Sequence, residues 1–240
     1  MIEFNRVTKA FRHGANARLL RAHLQDAIKR QKPDYFHALS NVSFRIENGE
    51  SLAVVGRNGA GKSTLLGLVA GLAQPSEGRV SVEGRVAALL ELGSGFHAEL
   101  TGAENLRLNA SLLGLSRART EEVYDAIVGF ADIGDFINEP LRIFSSGMLM
   151  RLAFAVAIHV DPDILIVDEV LAVGDVAFQA KCFERIRRFK ADRKTLLFVS
   201  HAPVLVRELC ERALWLDRGH VMMDGPVNQV LEAYEGQAGA

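Results

Sequence analysis

Nine consecutive residues, Gly56-Arg57-Asn58-Gly59-Ala60-Gly61-Lys62-Ser63-Thr64, set three glycines, a lysine and two hydroxyls at the spacing of a phosphate-binding Walker A loop. Glycine backbone can close around phosphate oxygens without Cβ clashes, and a helix opening at Lys62 adds the favourable field of its N-terminus. In that arrangement Gly56, Arg57, Asn58, Gly59, Ala60 and Gly61 wrap the phosphates. Lys62 reaches the β- and γ-phosphates, Ser63 binds Mg²⁺, and Thr64 supports the α-phosphate. Downstream, Ile164-Leu165-Ile166-Val167-Asp168-Glu169 is an apolar run ending in two acids. Asp168 suits Mg²⁺, directly or through water, and Glu169 suits polarising an attacking water. An acidic pair after a strand is by itself a common helix start; below a phosphate loop it acquires catalytic meaning. A second apolar run, Thr195-Leu196-Leu197-Phe198-Val199, ends in Ser200-His201, where a histidine can hydrogen-bond a γ-phosphate. The other six histidines, His97 and His159 among them, lack such a placement and read as structural. The chemistry these residues could do is attack of water on the γ-phosphate of ATP, with Mg²⁺.

A phosphate loop needs a strand before it and a helix after it. Residues 1–11 and 38–56 read as strands, with Val42-Ser43-Phe44-Arg45-Ile46 alternating and Ser51-Leu52-Ala53-Val54-Val55 continuously apolar. Asn48-Gly49 between those two predicts a hairpin. The continuous runs at 164–167 and 196–199 predict strands covered on both faces. After the loop, Leu65, Leu66, Val69 and Leu72 fall on one helical face. This alternation predicts an α/β fold with a mainly parallel sheet; with the phosphate loop it resembles a P-loop NTPase core of RecA-like type, a likeness that implies an N-terminal antiparallel β lobe. Between about 95 and 160 the pattern is helix only, over 101–114, 117–131 and 147–160 with stops at Gly114, Gly134 and Pro162. A helical lobe is thus expected inside one domain of 1–235. Asp217-Arg218-Gly219 and Asp224-Gly225 predict turns, 227–234 a short helix, and 236–240 a linker-like tail.

Composition narrows the partners. The chain has 240 residues, 49% hydrophobic and 24% charged, which is ordinary for a globular domain. A net charge of −1 argues against bulk attraction to nucleic acid, and neither long coiled coils nor a strongly basic face suggests a DNA clamp. Cys182 and Cys210 have no metal-ligand or disulfide spacing and fit a reducing cytosol. Residues 1–7 lack a signal-peptide core, and no apolar run reaches the roughly 18 residues of a membrane span. Any work at a membrane is expected from one side or through a partner.

Phe144-Ser145-Ser146-Gly147-Met148-Leu149-Met150-Arg151 precedes the strand that carries Asp168 and Glu169 and opens a helix. With the loop, the acids and His201 in this order, the chain resembles the ABC ATPases over essentially 1–235, this segment being similar to their signature motif. The resemblance implies a homodimer closed head to tail over ATP, in which Ser145, Ser146 and Gly147 of one copy contact the nucleotide of the other. Asp175, six residues after Glu169, matches an acid at the same seam. A signature reading Ser-Ser-Gly-Met, the run Val-Leu-Ala-Val-Gly-Asp after Glu169, and Leu90-Glu91-Leu92-Gly93-Ser94-Gly95-Phe96 before Leu100-Thr101-Gly102-Ala103-Glu104-Asn105 are most similar to the O-antigen and teichoic acid branch of bacterial polysaccharide exporters. That likeness implies a peripheral subunit on the cytoplasmic face of the inner membrane. It would drive a separate transmembrane permease that extrudes a lipid-linked polysaccharide. Export of a drug or small lipid, and a nucleotide-dependent scaffold without transport, are the alternatives.

The usual glutamine at the start of the helical lobe is missing, since no Gln occurs between Gln74 and Gln179. Glu91 or Leu92 falls near that position. An aromatic for stacking adenine is offered by Phe11, or by Tyr35 or Phe36 beyond a segment, 12–37, that reads as an insertion. Within it Leu19, Leu20, Leu24, Ala27 and Ile28 share a helical face, and six basic residues against two acidic give a local charge of +4. The expectation is contact with lipid head groups or a lipid-linked pyrophosphate, against an ordinary solvated helix.

Overall fold

The computed structural model describes residues 1–12, 35–89, 93, 95–168, 175–200 and 202–238. Most of the 12–37 insertion therefore lies outside the described residues. The strands are β1 (Ile2–Arg12), β2 (Tyr35–Ile46), β3 (Ser51–Val55), β4 (Glu77–Val82), β5 (Val86–Ala88), β6 (Ile164–Val167), β7 (Thr195–Val199), β8 (Arg212–Asp217) and β9 (His220–Pro226). The helices are α1 (Lys62–Val69), α2 (Gly102–Leu112), α3 (Arg117–Ala131), α4 (Ser146–His159), α5 (Val176–Ala191), α6 (Pro203–Leu209) and α7 (Val227–Ala238). Two sheets form, one antiparallel in the order β2-β1-β4 and one in the order β5-β6-β7-β3-β8-β9. In the larger sheet β5, β6, β7, β3 and β8 run parallel, and β9 closes the edge antiparallel to β8.

The apolar runs are continuous because both faces of the parallel sheet are covered. On β3, Leu52 and Val54 turn toward the antiparallel sheet and meet a cluster with Phe4, Leu39, Ile46 and Leu65. Ala53 and Val55 turn the other way, into a cluster with Phe154, Phe178 and Ile186 from the helices. β6 divides likewise, Ile164 and Ile166 to one side, Leu165 and Val167 to the other. The helices between β5 and β6 begin at caps written in the sequence. Thr101 and Glu104 form a reciprocal capping box at α2, and Ser116 accepts from the Arg119 N–H at α3.

Four expectations change. The turn at Asn48-Gly49 joins strands of different sheets, so β2 and β3 make no hairpin; β2 pairs with β1 and β3 with β7 and β8. The helix after the phosphate loop ends at Val69, and Leu72 lies beyond it, exposed. Asp224 and Gly225 are inside β9, opposite Leu214 and Ala213, not in a turn. Gly236, Gln237 and Ala238 continue α7, so the residues read as a tail extend a helix.

Candidate nucleotide-binding site

β3 delivers the chain to residue 56 and α1 receives it at Lys62. Between them the backbone is held by two close approaches that only glycine permits. Gly56 has φ 152, and a Cβ there would lie 2.2 Å from the Leu216 carbonyl oxygen. Gly61, the N-cap of α1, has φ 106, and a Cβ there would lie 2.5 Å from the Ala38 carbonyl oxygen. Because Gly61 offers no side-chain cap and the first turn of α1 holds no acid, the opening N–H groups of the helix face the loop uncapped by a side chain. Lys62 Nζ donates to the carbonyl oxygens of Gly56 at 2.7 Å and Arg57 at 3.1 Å, folding its ammonium back over the loop. Ser63 is exposed and Thr64 half-buried beside it. Loop, uncapped helix start and lysine bring backbone N–H groups and an ammonium together, a positively polarised turn.

The parallel sheet sets the second component. β3 and β6 flank β7, so their carboxyl ends emerge on one edge about two strand spacings, roughly 10 Å, apart. Asp168, half-buried, follows β6 on that edge. Glu169, His201 and Glu91 lie outside the described residues; chain order alone puts Glu169 next to Asp168 and His201 two residues past the end of β7.

Two exposed rings approach the loop from the antiparallel sheet. Phe11 and Phe36 are cross-strand partners, as are Arg12 and Tyr35. Phe11, Phe36 and Tyr35 are each about half exposed. Phe36 is two residues, about 7 Å, from Ala38, which touches Gly61. Phe11 and Phe36 share a rung of the antiparallel sheet, and Lys9 Nζ stands 5.0 Å from the Phe11 ring centroid. Behind the loop is a cleft of about 480 Å³ between Arg57, Asn58, Trp215, Arg218, Tyr234 and Gln237. Of these, Arg218 was visible in sequence only as part of a turn and Trp215 in no motif, and Gln237 arrives only because α7 continues.

The signature segment starts α4. Ser145 is its N-cap and accepts from the Met148 N–H at 3.2 Å, and Ser145 and Ser146 are both exposed. A Cβ on Gly147 would make only an ordinary contact, with Ser145 Oγ at 3.8 Å. No acid stands in this first turn either, so it presents a second anion-favouring helix start. Asp175 caps α5, accepting from the Phe178 N–H at 2.9 Å. That hydrogen bond, with the nearby Arg151 guanidinium, holds its carboxyl below the usual range. Arg151 Nη2 donates to Asp175 Oδ2 at 2.7 Å. Arg151 was visible in sequence only as part of the signature run, and its partners come from other elements.

Asn105 was visible in sequence only as the end of the run from Leu100. Fully buried, it donates to the carbonyl oxygens of His97, Leu100 and Thr101 and accepts from the His97 N–H at 2.7 Å, pinning the turn before α2. Next to that turn an apolar hollow of about 310 Å³ lies between Phe96, Ala98, Leu141, Leu149 and Met150, with Ser146 on its rim. Burial pushes the thiols of Cys182 and Cys210 up to about 12, which fits inert core residues.

Comparison with known proteins agrees with this geometry. A family model described as "ABC transporter" matches residues 39–172. The O-antigen export system ATP-binding protein RfbB of Klebsiella pneumoniae is 48% identical over 239 residues, covering 98% of this chain and 97% of that protein. The teichoic acids export ATP-binding protein TagH of Bacillus cereus is 42% identical over 212 residues, 88% of this chain and 38% of the longer relative. Among solved structures, a dimeric ATP-binding cassette in a post-hydrolysis state, bound to ADP and Pi, superposes with TM-score 0.75 at 22% identity. The match covers 95% of this chain and 99% of that one, and at that identity the likeness establishes the fold.

Proposed function

The chain belongs to the ABC transporter family, and on that premise we propose that it is the ATP-hydrolysing motor subunit of an exporter of lipid-linked polysaccharide, O-antigen or a similar glycan. The observation that carries the reading is the cradle at 56–64, built between β3 and α1, in a chain whose full-length relatives are export ATP-binding proteins.

Gly56, Arg57, Asn58, Gly59, Ala60 and Gly61 wrap the phosphates with backbone N–H groups. Lys62 leaves its loop carbonyls for the β- and γ-phosphate oxygens, where its charge offsets what accumulates as the terminal P–O bond breaks. Thr64 supports the α-phosphate. Ser63 and Asp168 are hard oxygen donors of the kind Mg²⁺ takes, in sites that leave most coordination to phosphate and water. In keeping with that, no cluster of three or more His, Cys, Asp or Glu among the described residues could cage a metal alone. A bound Mg²⁺ would neutralise phosphate charge. Glu169 accepts a hydrogen bond from the attacking water and aligns it with the γ-phosphate, and His201 donates to a γ-phosphate oxygen. Adenine stacks on the Phe11–Phe36 surface, with Tyr35 on the neighbouring rung.

A second copy completes the site. Its Ser145, Ser146 and α4 start, with Gly147 leaving room for close approach, meet the γ-phosphate from the far side, and Asp175 lies at the same seam. No helix among the described residues is long and apolar enough to cross a membrane, so translocation falls to a separate membrane subunit. The apolar hollow at Phe96, Leu149 and Met150 is the surface we assign to it. The pair then works peripherally at the cytoplasmic face of the inner membrane. Glu91, near the position of the missing glutamine in the chain, is the candidate for that glutamine's role.

The test is purification of tagged Glu169→Gln chain from detergent-solubilised native membranes with ATP present, followed by mass spectrometry. That variant binds ATP and has almost no turnover. A co-purifying multi-span subunit with a polyprenyl-linked glycan is the expected result. A soluble ATP-bound dimer without a membrane partner would overturn the export reading.

A further inference from the structure

We propose that the antiparallel sheet carries a separate anion site, outside the nucleotide loop, in which Arg6 and Arg79 take the phosphate of a phosphate ester. The inference stands apart from the export reading, since it uses no residue of the nucleotide site.

β1 slips register along both its edges at one place. Against β2 the break falls between Phe4 and Val7, and against β4 between Asn5 and Thr8. A regular strand sends successive side chains to opposite faces. Here Phe4 and Val7 are buried, while Asn5 and Arg6 between them are both exposed. The bulge thus sets an amide and a guanidinium side by side on the outer surface. Each of the three strands supplies left-handed backbone: Arg6 at φ 48, Asn41 at φ 51 and Gly78 at φ 77. A Cβ on Gly78 would lie 2.2 Å from the Arg6 carbonyl oxygen, so only glycine lets β4 close on the bulge. Side chains hold the bent backbone in place. Ser43 Oγ accepts from the Arg6 N–H at 2.8 Å, and Thr8 Oγ1 accepts from the Asn41 N–H at 3.1 Å.

The result is an open hollow of about 530 Å³ lined by Asn5, Arg6, Thr8, Asn41 and Arg79, with Glu77 and Gly78 beside them. Arg79 stands opposite Asn5 in the β1–β4 register, so the two guanidiniums leave adjacent strands about 5 Å apart. Neither guanidinium has a hydrogen bond or ion pair among the described residues. By contrast Arg45 of β2 pairs with Glu47 at 2.7 Å, and Lys9 Nζ donates to the Gln74 carbonyl oxygen at 2.8 Å. Two guanidiniums against the one carboxylate of Glu77 leave the hollow at +1. One planar fork suffices for a carboxylate. Two forks flanked by the amides of Asn5 and Asn41 match the three terminal oxygens of a phosphate monoester. A phosphate of four water-sized oxygens needs only about 120 Å³. The remaining space accommodates the body that carries it, a small soluble molecule or a lipid head group.

The test uses the full chain with its nucleotide loop filled by Mg²⁺ and a non-hydrolysable ATP analogue, so that the probe must find another site. α-Glycerophosphate is titrated calorimetrically, at fixed ionic strength, into wild-type chain, Arg6→Gln, Arg79→Gln and Arg45→Gln. Flotation with phosphatidylcholine vesicles containing phosphatidic acid is measured on the same four proteins. We expect saturable binding that weakens about 10-fold in Arg6→Gln and in Arg79→Gln. In Arg45→Gln, which removes the same charge from the same sheet, the change should be less than about twofold. Arg79 is not among the left-handed residues, so its variant tests the site even where Arg6→Gln disturbs the bulge. Flotation lost in those two variants assigns the phosphate to a lipid head group, whereas ester binding without any flotation assigns it to a soluble ligand. Absence of both overturns the proposal. So does equal weakening in Arg45→Gln, which would reduce the hollow to a patch of unspecific positive charge.

Discussion

Replacing Gly56 and Gly59 separately by alanine tests how the phosphate loop is built. Both residues have positive φ, 152 and 81, so each alanine carries a backbone penalty of about 1 kcal/mol. The surroundings differ. A Cβ on Gly59 meets nothing within 4 Å, while one on Gly56 would stand 2.2 Å from the Leu216 carbonyl oxygen and 3.1 Å from the Ala60 Cβ. Relieving the first contact requires β8 and the loop to separate by about 1 Å, an overpacking cost of about 3 kcal/mol. Gly56→Ala is then destabilised by about 4 kcal/mol and Gly59→Ala by about 1 kcal/mol. For a chain of 240 residues these translate to melting points lowered by roughly 8–16 °C and 2–4 °C. Thermal unfolding of both variants without nucleotide is the assay, since it excludes any phosphate contact from the comparison. Melting points within about 3 °C of each other would refute the reasoning, showing that the loop yields at Gly56 as readily as at Gly59.

Other perturbations follow from single contacts. Asn105→Ala removes the acceptor of the His97 N–H, while the Leu100 carbonyl keeps the Leu141 N–H, so unfolding should show a loss of about 2 kcal/mol; a loss below about 0.5 kcal/mol would mean the turn is held elsewhere. Asp175 has a folded pKa below its unfolded value of 3.8, so it adds stability above that value and loses it as pH falls through the lower folded value. Asp175→Asn should flatten the acid limb of the stability curve, and an unchanged limb in acid titration refutes the assignment. Cys182 and Cys210, pushed to about 12 by burial, should resist a thiol reagent at neutral pH until the chain unfolds; fast labelling of native protein would contradict their burial.

The phosphate loop, the strand at Ile164–Val167 and the starts of α2, α3 and α4 to within a residue could be read from sequence because each is made of contiguous residues whose chemistry is local. Errors arose wherever a partner had to be chosen from elsewhere in the chain. Asn48-Gly49 reports that the backbone turns; it does not say which sheet the next strand joins. β3 joins the larger sheet because both its faces are apolar and only an interior position covers both. Asp224-Gly225 resembles a turn, yet Arg212 binds both oxygens of Asp224 at 2.6 and 2.7 Å and draws the segment into the β8–β9 ladder.

The same distinction governs the site. Glycines in a phosphate loop are usually explained by the ligand, which needs bare backbone on the inner side of the turn. Gly56 and Gly61 have a second reason on the outer side, since Leu216 of β8 and Ala38 of β2 occupy the space a Cβ would need. The loop is therefore clamped from behind by both sheets. Ala38 belongs to β2, two residues from Phe36, so the strand that blocks a Cβ at Gly61 also carries one of the exposed rings. Sequence shows the glycines and the rings as separate motifs about twenty to fifty residues apart, and the break in the β1–β2 register between Leu39 and His37, where Ala38 leaves the ladder to meet Gly61, cannot be read from it.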